Sequence, residues 1–187
     1  MKFRKVKIFN GKKVLIRSLS KSDLKRVKEF QSFINAFVAE DAQIDMNKKI
    51  TLKEEKDWMR KRMKGLKNYQ AIHLIAEHDS TIIGSVTIDL LIWRKNHIGT
   101  FGITISKGYR RMGLGEYLSR EAIRLAKRKL KPSPKIIAID VLPTNKPARN
   151  LYKKLGFREV AKIPDNIQYK GKLFDEIIMY LYLSKKK

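Results

Sequence analysis

The 187-residue chain contains no cysteine. That excludes disulfides, thiolate-held metals and a thiol nucleophile, and it suits the reducing cytoplasm, where the protein is expected to work. His73, His78 and His97 are the only histidines and have no metal-binding spacing, so no metal is expected. Five prolines and ten glycines are too few and too scattered to form a linker, and a single domain is expected over residues 1–187. No stretch approaches the roughly 20 apolar residues of a membrane span. The basic start, MKFRKVKIFNGKK, lacks the apolar core of a signal peptide.

Acidic residues are also scarce. Only 18 Asp and Glu stand against 43 Lys and Arg, for a net charge of +25. The excess is no tail: residues 1–70 hold 20 basic and 8 acidic side chains, and the remainder 23 and 10. Such a surface fits work near nucleic acid or ribosomes, an acidic substrate, or a lysine-rich thermophile-like composition. Weak nucleic-acid association at low salt follows from any of the three.

Hydrophobic periodicity predicts an α/β chain. Val6–Phe9, Asn10-Gly11 and Val14–Leu19 read as a hairpin around a type I′ turn. Ser20-x-x-Asp23 and Thr51-x-x-Glu54 are capping boxes that open two helices. Trp58, Met59 and Met63 mark the apolar side of the second, and Trp58 is expected in the core. Strands follow at Ala71–Glu77, Thr81–Leu90 and His97–Ser106. Gly99 and Gly102 suggest a bulge or a close backbone approach in the last of these. A helical stripe of Leu114, Leu118, Ala122 and Leu125 runs to the stop at Lys131-Pro-Ser-Pro134. Ile136–Val141 reads as a central strand and Asn145–Gly156 as a capped helix. Phe157–Ala161 and Phe174–Leu183 read as a closing strand pair, and Lys185–Lys187 as a frayed tail.

The chain is organised around residues 103–130. A strand ending Ile103-Thr104-Ile105 meets the loop KGYRRMGLG, which opens the long helix. Such a turn aims backbone N–H groups and the positive end of a helix dipole at one spot, where a phosphate is favoured. Gly113 and Gly115 leave that spot open, and Arg110 and Arg111 add fixed positive charge. The spacing is not a Walker A, and Leu118 stands where a dinucleotide loop would need its third glycine.

Arg110-x-x-Gly113-x-Gly115 resembles the acyl-CoA pyrophosphate loop of the GNAT N-acetyltransferases, R/Q-x-x-G-x-G/A. Asn145-x-x-Ala148-x-x-Leu151-Tyr152-x-x-x-Gly156-Phe157 is similar to a second block of that family. The two blocks stand in the family's order and separation, and the likeness covers residues 80–160. It implies one mixed, mostly antiparallel, twisted sheet of about seven strands with splayed central strands, flanked by about four helices. It also implies acetyl-CoA as cosubstrate, without a metal. Backbone groups of Ile103, Thr104 and Ile105 would then hold the pantetheine arm and polarise the acyl carbonyl. The loop from Arg110 through Arg111, Met112, Gly113 and Leu114 to Gly115 would hold the pyrophosphate. Asn145 and Asn150 would serve the CoA arm, and Tyr152 would face its sulfur as general acid. The sub-groups it most resembles are the phosphinothricin-type and ribosomal-protein acetyltransferases.

The expected reaction is acetyl transfer to a primary amine, on a small molecule or a protein N-terminus, by direct attack in a ternary complex. Its base is open. Some relatives carry a Glu on the splayed strand two residues before the glycine matched to Gly102, but Thr100 stands there. Glu40 is the first candidate, with Asp41, Asp89 or a water relay beside it. Residues 35–50 and 164–174 are expected to rim the acceptor cleft. An acidic pocket around Glu40, Asp41 and Asp45 would offset the repulsion of cationic acceptors. The alternative is a basic nucleic-acid- or ribosome-binding module on the same fold. A homodimer stays open.

Overall fold

The computed structural model describes residues 3–183, so the expected tail Lys185–Lys187 lies outside the described residues. The elements are β1 (Arg4–Phe9), β2 (Lys12–Ser18), α1 (Val27–Ala39), α2 (Leu52–Lys67), β3 (Ala71–His78), β4 (Thr81–Leu90), β5 (Ile98–Ile105), α3 (Leu114–Lys129), β6 (Ile136–Val141), α4 (Lys146–Leu155), β7 (Arg158–Tyr169) and β8 (Lys172–Tyr182). They build one eight-stranded sheet in the order β1-β2-β3-β4-β5-β6-β8-β7. Every pairing is antiparallel except β5 with β6. The strand count is one above the expected seven. The closing pair is also longer than predicted, because the segment after Ala161 stays in the sheet. Its register shifts between Ile163 and Ile167, around Pro164, which has no N–H for the ladder.

Both predicted capping boxes form. Ser20 N donates to the Asp23 carboxylate at 2.8 Å and opens a 3-10 turn, Lys21–Arg26, that leads into α1. Thr51 N donates to Glu54 Oε2 at 2.7 Å and starts α2.

Helices cover both faces of the sheet. The α3 stripe Leu114, Leu118, Ala122 and Leu125 packs on Ile72, Leu74 and Ala76 of β3 and on Val86 and Ile88 of β4. On the opposite face, Phe30, Phe33 and Phe37 of α1 and Met59 of α2 pack on Ile75 and Ile82. β3 is therefore buried through seven consecutive residues, alternating between two cores.

A buried ionic cluster ties β2 and β3 to the start of α1. Arg17 Nη2 lies 2.7 Å from Asp23 Oδ1, and Arg17 Nε lies 2.7 Å from Glu77 Oε2. Arg26 also pairs with Glu77.

Gly99 and Gly102 mark close approach, not a bulge: the β4–β5 register runs unbroken from Leu90↔Gly99 to Gly84↔Ile105. A Cβ on Gly99 would stand 2.8 Å from Ile88 Cγ2 and 3.1 Å from Ile137 Cδ1. Gly99→Val is expected to cost about 1–3 kcal/mol by overpacking, read as a lower Tm. A melt unchanged from wild type would show that this seam can yield.

Candidate active site

β5 and β6 pair over three residues only, Ile98↔Ile136 to Thr100↔Ala138, and then separate. β5 remains bonded to β4 on its other side as far as Ile105. The result is a V-shaped gap in the middle of the sheet, opening at Phe101.

Backbone direction alternates along a strand, so the β5 groups facing the gap can be assigned. Leu91 N bonds Ile98 O, and Ser106 N bonds Ile83 O, which puts the even-numbered residues toward β4. Phe101, Ile103 and Ile105 therefore turn their N–H and C=O groups to the gap. Of the three residues expected to hold the pantetheine arm, Ile103 and Ile105 present backbone to it. Thr104 commits its backbone to β4 and lines the cavity described below.

The loop after β5 forms a helix entry of the expected kind. Arg111 and Gly113 both have positive φ, 62° and 83°. Tyr117 N bonds Gly113 O at 3.0 Å, the first rung of α3. The N–H groups of Leu114, Gly115 and Glu116 precede that rung and have no acceptor within the helix. Arg111 and Gly113 are exposed, Met112 and Gly115 half-buried, and Leu114 buried in the core.

Arg110 makes three contacts within the protein. Its Nε donates to Ile105 O at 2.8 Å, its Nη2 pairs with Glu40, and the guanidinium lies 5.7 Å from the Phe37 ring centroid. The two candidates Arg110 and Glu40 thus meet each other, fastening the loop to the end of α1. The other proposed bases are similarly engaged. Asp41 pairs with Lys170 at 2.5 Å, and Asp89 pairs with Arg62. Asn145 Oδ1 accepts from Ala148 N at 3.2 Å as the α4 cap, and Asn150 is exposed.

A cavity of about 550 Å³ opens at the gap. Thr87, Gly102 and Thr104 of the sheet, residues 43–46 of the α1–α2 loop and the inner side of α2 line it, and it reaches Ile139, Asp140 and Tyr152 beyond the gap. Tyr152 is buried, with its ring 6.0 Å from Phe101 and 5.9 Å from Phe157 between centroids. Its hydroxyl makes no hydrogen bond to a described residue. Burial, and then the charges of Asp140 and Asp45, raise its pKa well above the usual phenol value.

Trp58 is not a core residue. It is 40% exposed and lines the cavity, with Arg62 stacked 4.8 Å from its ring and His73 edge-on at 5.7 Å. The helical spacing that suggested burial turns Trp58 toward a void. His73 is fully buried, and its Nε2 is 2.8 Å from Ser85 Oγ. Burial, reinforced by Arg62, lowers its pKa to about 3, so it stays neutral. Its Nδ1 has no partner among the described residues.

No sequence motif singles out Glu55. It is 5% exposed on the cavity side of α2 and has no ion pair or hydrogen bond to a described residue. Burial pushes its carboxyl up to about 7. Its spacing does carry a signal: Glu55 falls three and four residues before Trp58 and Met59, on the apolar face.

Residues 36–157 match the acetyltransferase (GNAT) family. The chain belongs to that family. An acetyltransferase of the GNAT family from Streptococcus pneumoniae is 26% identical and superposes with a TM-score of 0.79, over 91% of this chain and 99% of its own. The structure of yncA, a putative acetyltransferase from Salmonella typhimurium with its cofactor acetyl-CoA, matches at 19% identity and a TM-score of 0.77, over 92% and 95%. An N-alpha-acetyltransferase of Sulfurisphaera tokodaii is 30% identical over 105 residues, which span 51% of this chain and 61% of the relative. The separation of β5 from β6 and the helix entry after β5 both lie within the residues of this GNAT chain that match the family. No helix among the described residues is long and apolar enough to cross a membrane.

Proposed function

We propose that the protein transfers the acetyl group of acetyl-CoA to a primary amine, on a small molecule or a protein N-terminus, by direct attack in a ternary complex. The carrying observation is the single cavity that joins the open β5 edge to Tyr152 and to a set of carboxylates. In this reading the first-turn N–H groups of α3 hold the pyrophosphate. The pantetheine arm pairs with the backbone of Ile103 and Ile105 like an added strand, and the Ile103 or Ile105 N–H polarises the thioester carbonyl.

Electrostatics favours an amine. Although the chain carries +25, the cavity is lined by Asp45, Glu54, Glu55 and Asp140, with Arg62 bound to Asp89 as its basic residue. An ammonium would be drawn from a repelling surface into an attracting pocket. Of the acids expected to form this pocket, Asp45 lines it, while Glu40 and Asp41 are engaged outside it.

Calorimetric titration with acetyl-CoA at about 0.15 M salt tests the cofactor. One-site binding is expected, weakened at least about tenfold in Arg110→Ala, Gly113→Ala, because alanine at the 83° φ of Gly113 costs roughly 1–2 kcal/mol and reshapes the loop. No binding by the wild type would sink the enzyme reading. The charge favours a second reading, a nucleic-acid- or ribosome-binding module. It requires RNA binding that persists at that same salt, whereas counterion release should abolish a merely electrostatic association.

A further inference from the structure

We propose that Glu55 is the general base that takes the proton from the acceptor ammonium, an inference that rests on the acetyltransferase reading above. Glu55, Trp58 and Arg62 follow one another at three and four residues, so one face of α2 points all three into the cavity. Among the acids near the site, Glu40, Asp41 and Asp89 are held by Arg110, Lys170 and Arg62, and Glu54 closes the Thr51 cap. Asp45 and Asp140 line the cavity at less buried positions. Glu55 is the carboxylate that is both buried and unbonded to any described residue.

The groups sharing its cavity are Asp45, Glu54, Asp140, Arg62, His73 and Tyr152. His73 is neutral, Arg62 is paired with Asp89, and burial is what sets the direction of the Glu55 shift. A carboxyl titrating near 7 suits a general base, being ionised in a useful fraction of molecules yet basic enough to accept a proton.

The protons balance. The ammonium gives one proton to Glu55, which releases it to water. The neutral amine attacks the thioester carbon, the C–N bond forms, and the C–S bond breaks. Tyr152 protonates the departing sulfur and is reprotonated, through solvent, from the nitrogen of the new amide. The sum is one amide, one CoA thiol and one proton released.

The test uses the full chain, acetyl-CoA, and two acceptor probes: phenethylamine and a peptide with a free N-terminal serine. Glu55→Gln should bind acetyl-CoA as the wild type does. It should lose about 10²–10⁴-fold in kcat/KM together with the rising limb of the pH profile near 7, and Glu55→Asp should restore part of the rate. A Glu55→Gln enzyme that keeps both its rate and that limb overturns the proposal and leaves the acetyltransferase reading intact. If the wild type acetylates neither probe, the function proposed above fails for these acceptors. Carboxyl NMR of glutamate-labelled protein then decides Glu55 alone. A resonance titrating near 7 and absent from Glu55→Gln supports the base, and one titrating at the ordinary glutamate value overturns it. The melts give a further readout. Charging a buried carboxylate destabilises the fold as pH rises from the unfolded range to about 7, so Glu55→Gln should gain on the wild type over that interval and hold its lead above it.

Discussion

Tyr152→Phe is expected to lower kcat by about 10²–10⁴-fold, the range of general acid–base catalysis, with little change in acetyl-CoA affinity. The hydroxyl reaches the cavity yet bonds to no described residue, so its removal costs no internal hydrogen bond. The ring contacts with Phe101 and Phe157 survive in phenylalanine, and the variant should melt close to wild type. The raised pKa sharpens the role. Tyr152 stays protonated at any physiological pH, so a general acid at this position would always be loaded. Burial disfavours its phenolate first, and the carboxylates of Asp140 and Asp45 add to that. Thiol release from acetyl-CoA measures the effect. A Tyr152→Phe rate within about threefold of wild type, well short of the general-acid range, would reduce Tyr152 to a packing residue.

Arg17→Leu is expected to destabilise the fold by about 3–5 kcal/mol, because it strands buried carboxylates. Asp23 is 1% exposed and takes both Arg17 terminal nitrogens, at 2.7 and 2.8 Å. Arg26 remains for Glu77, which favours the lower end of the range. In a chain of this size that is a drop of roughly 6–20 °C in Tm at pH 7.

The pH dependence follows with a definite sign. Burial opposes ionisation of Asp23 and Glu77. The bonds from Arg17 outweigh it, aided by Ser20 at Asp23 and by Arg26 at Glu77, and hold both carboxyls below their ordinary values. Their stabilisation is present above the unfolded carboxylate range, near 4, and is lost as pH falls through the depressed folded values. The gap between wild type and Arg17→Leu should therefore narrow in acid. Equal Tm at pH 7 would show that the cluster contributes nothing net.

Local sequence determined much of this protein. The two capping boxes, the Asn10-Gly11 hairpin and the Gly-rich helix entry depend on residues a few positions apart, and each formed where its chemistry required. The same holds for the ordering of strands and helices that placed the gap before the loop. Tertiary structure alone decided which charges are free. Glu40 and Arg110 are 70 residues apart and meet across the loop, Lys170 reaches Asp41 from the far hairpin, and Arg62 crosses to Asp89. Periodicity marks Trp58 and Glu55 as inward-facing, but it cannot tell a core from a cavity. That distinction depends on β6 leaving β5 after Thr100, where two strands from distant parts of the chain part and keep the space beneath α2 from being filled.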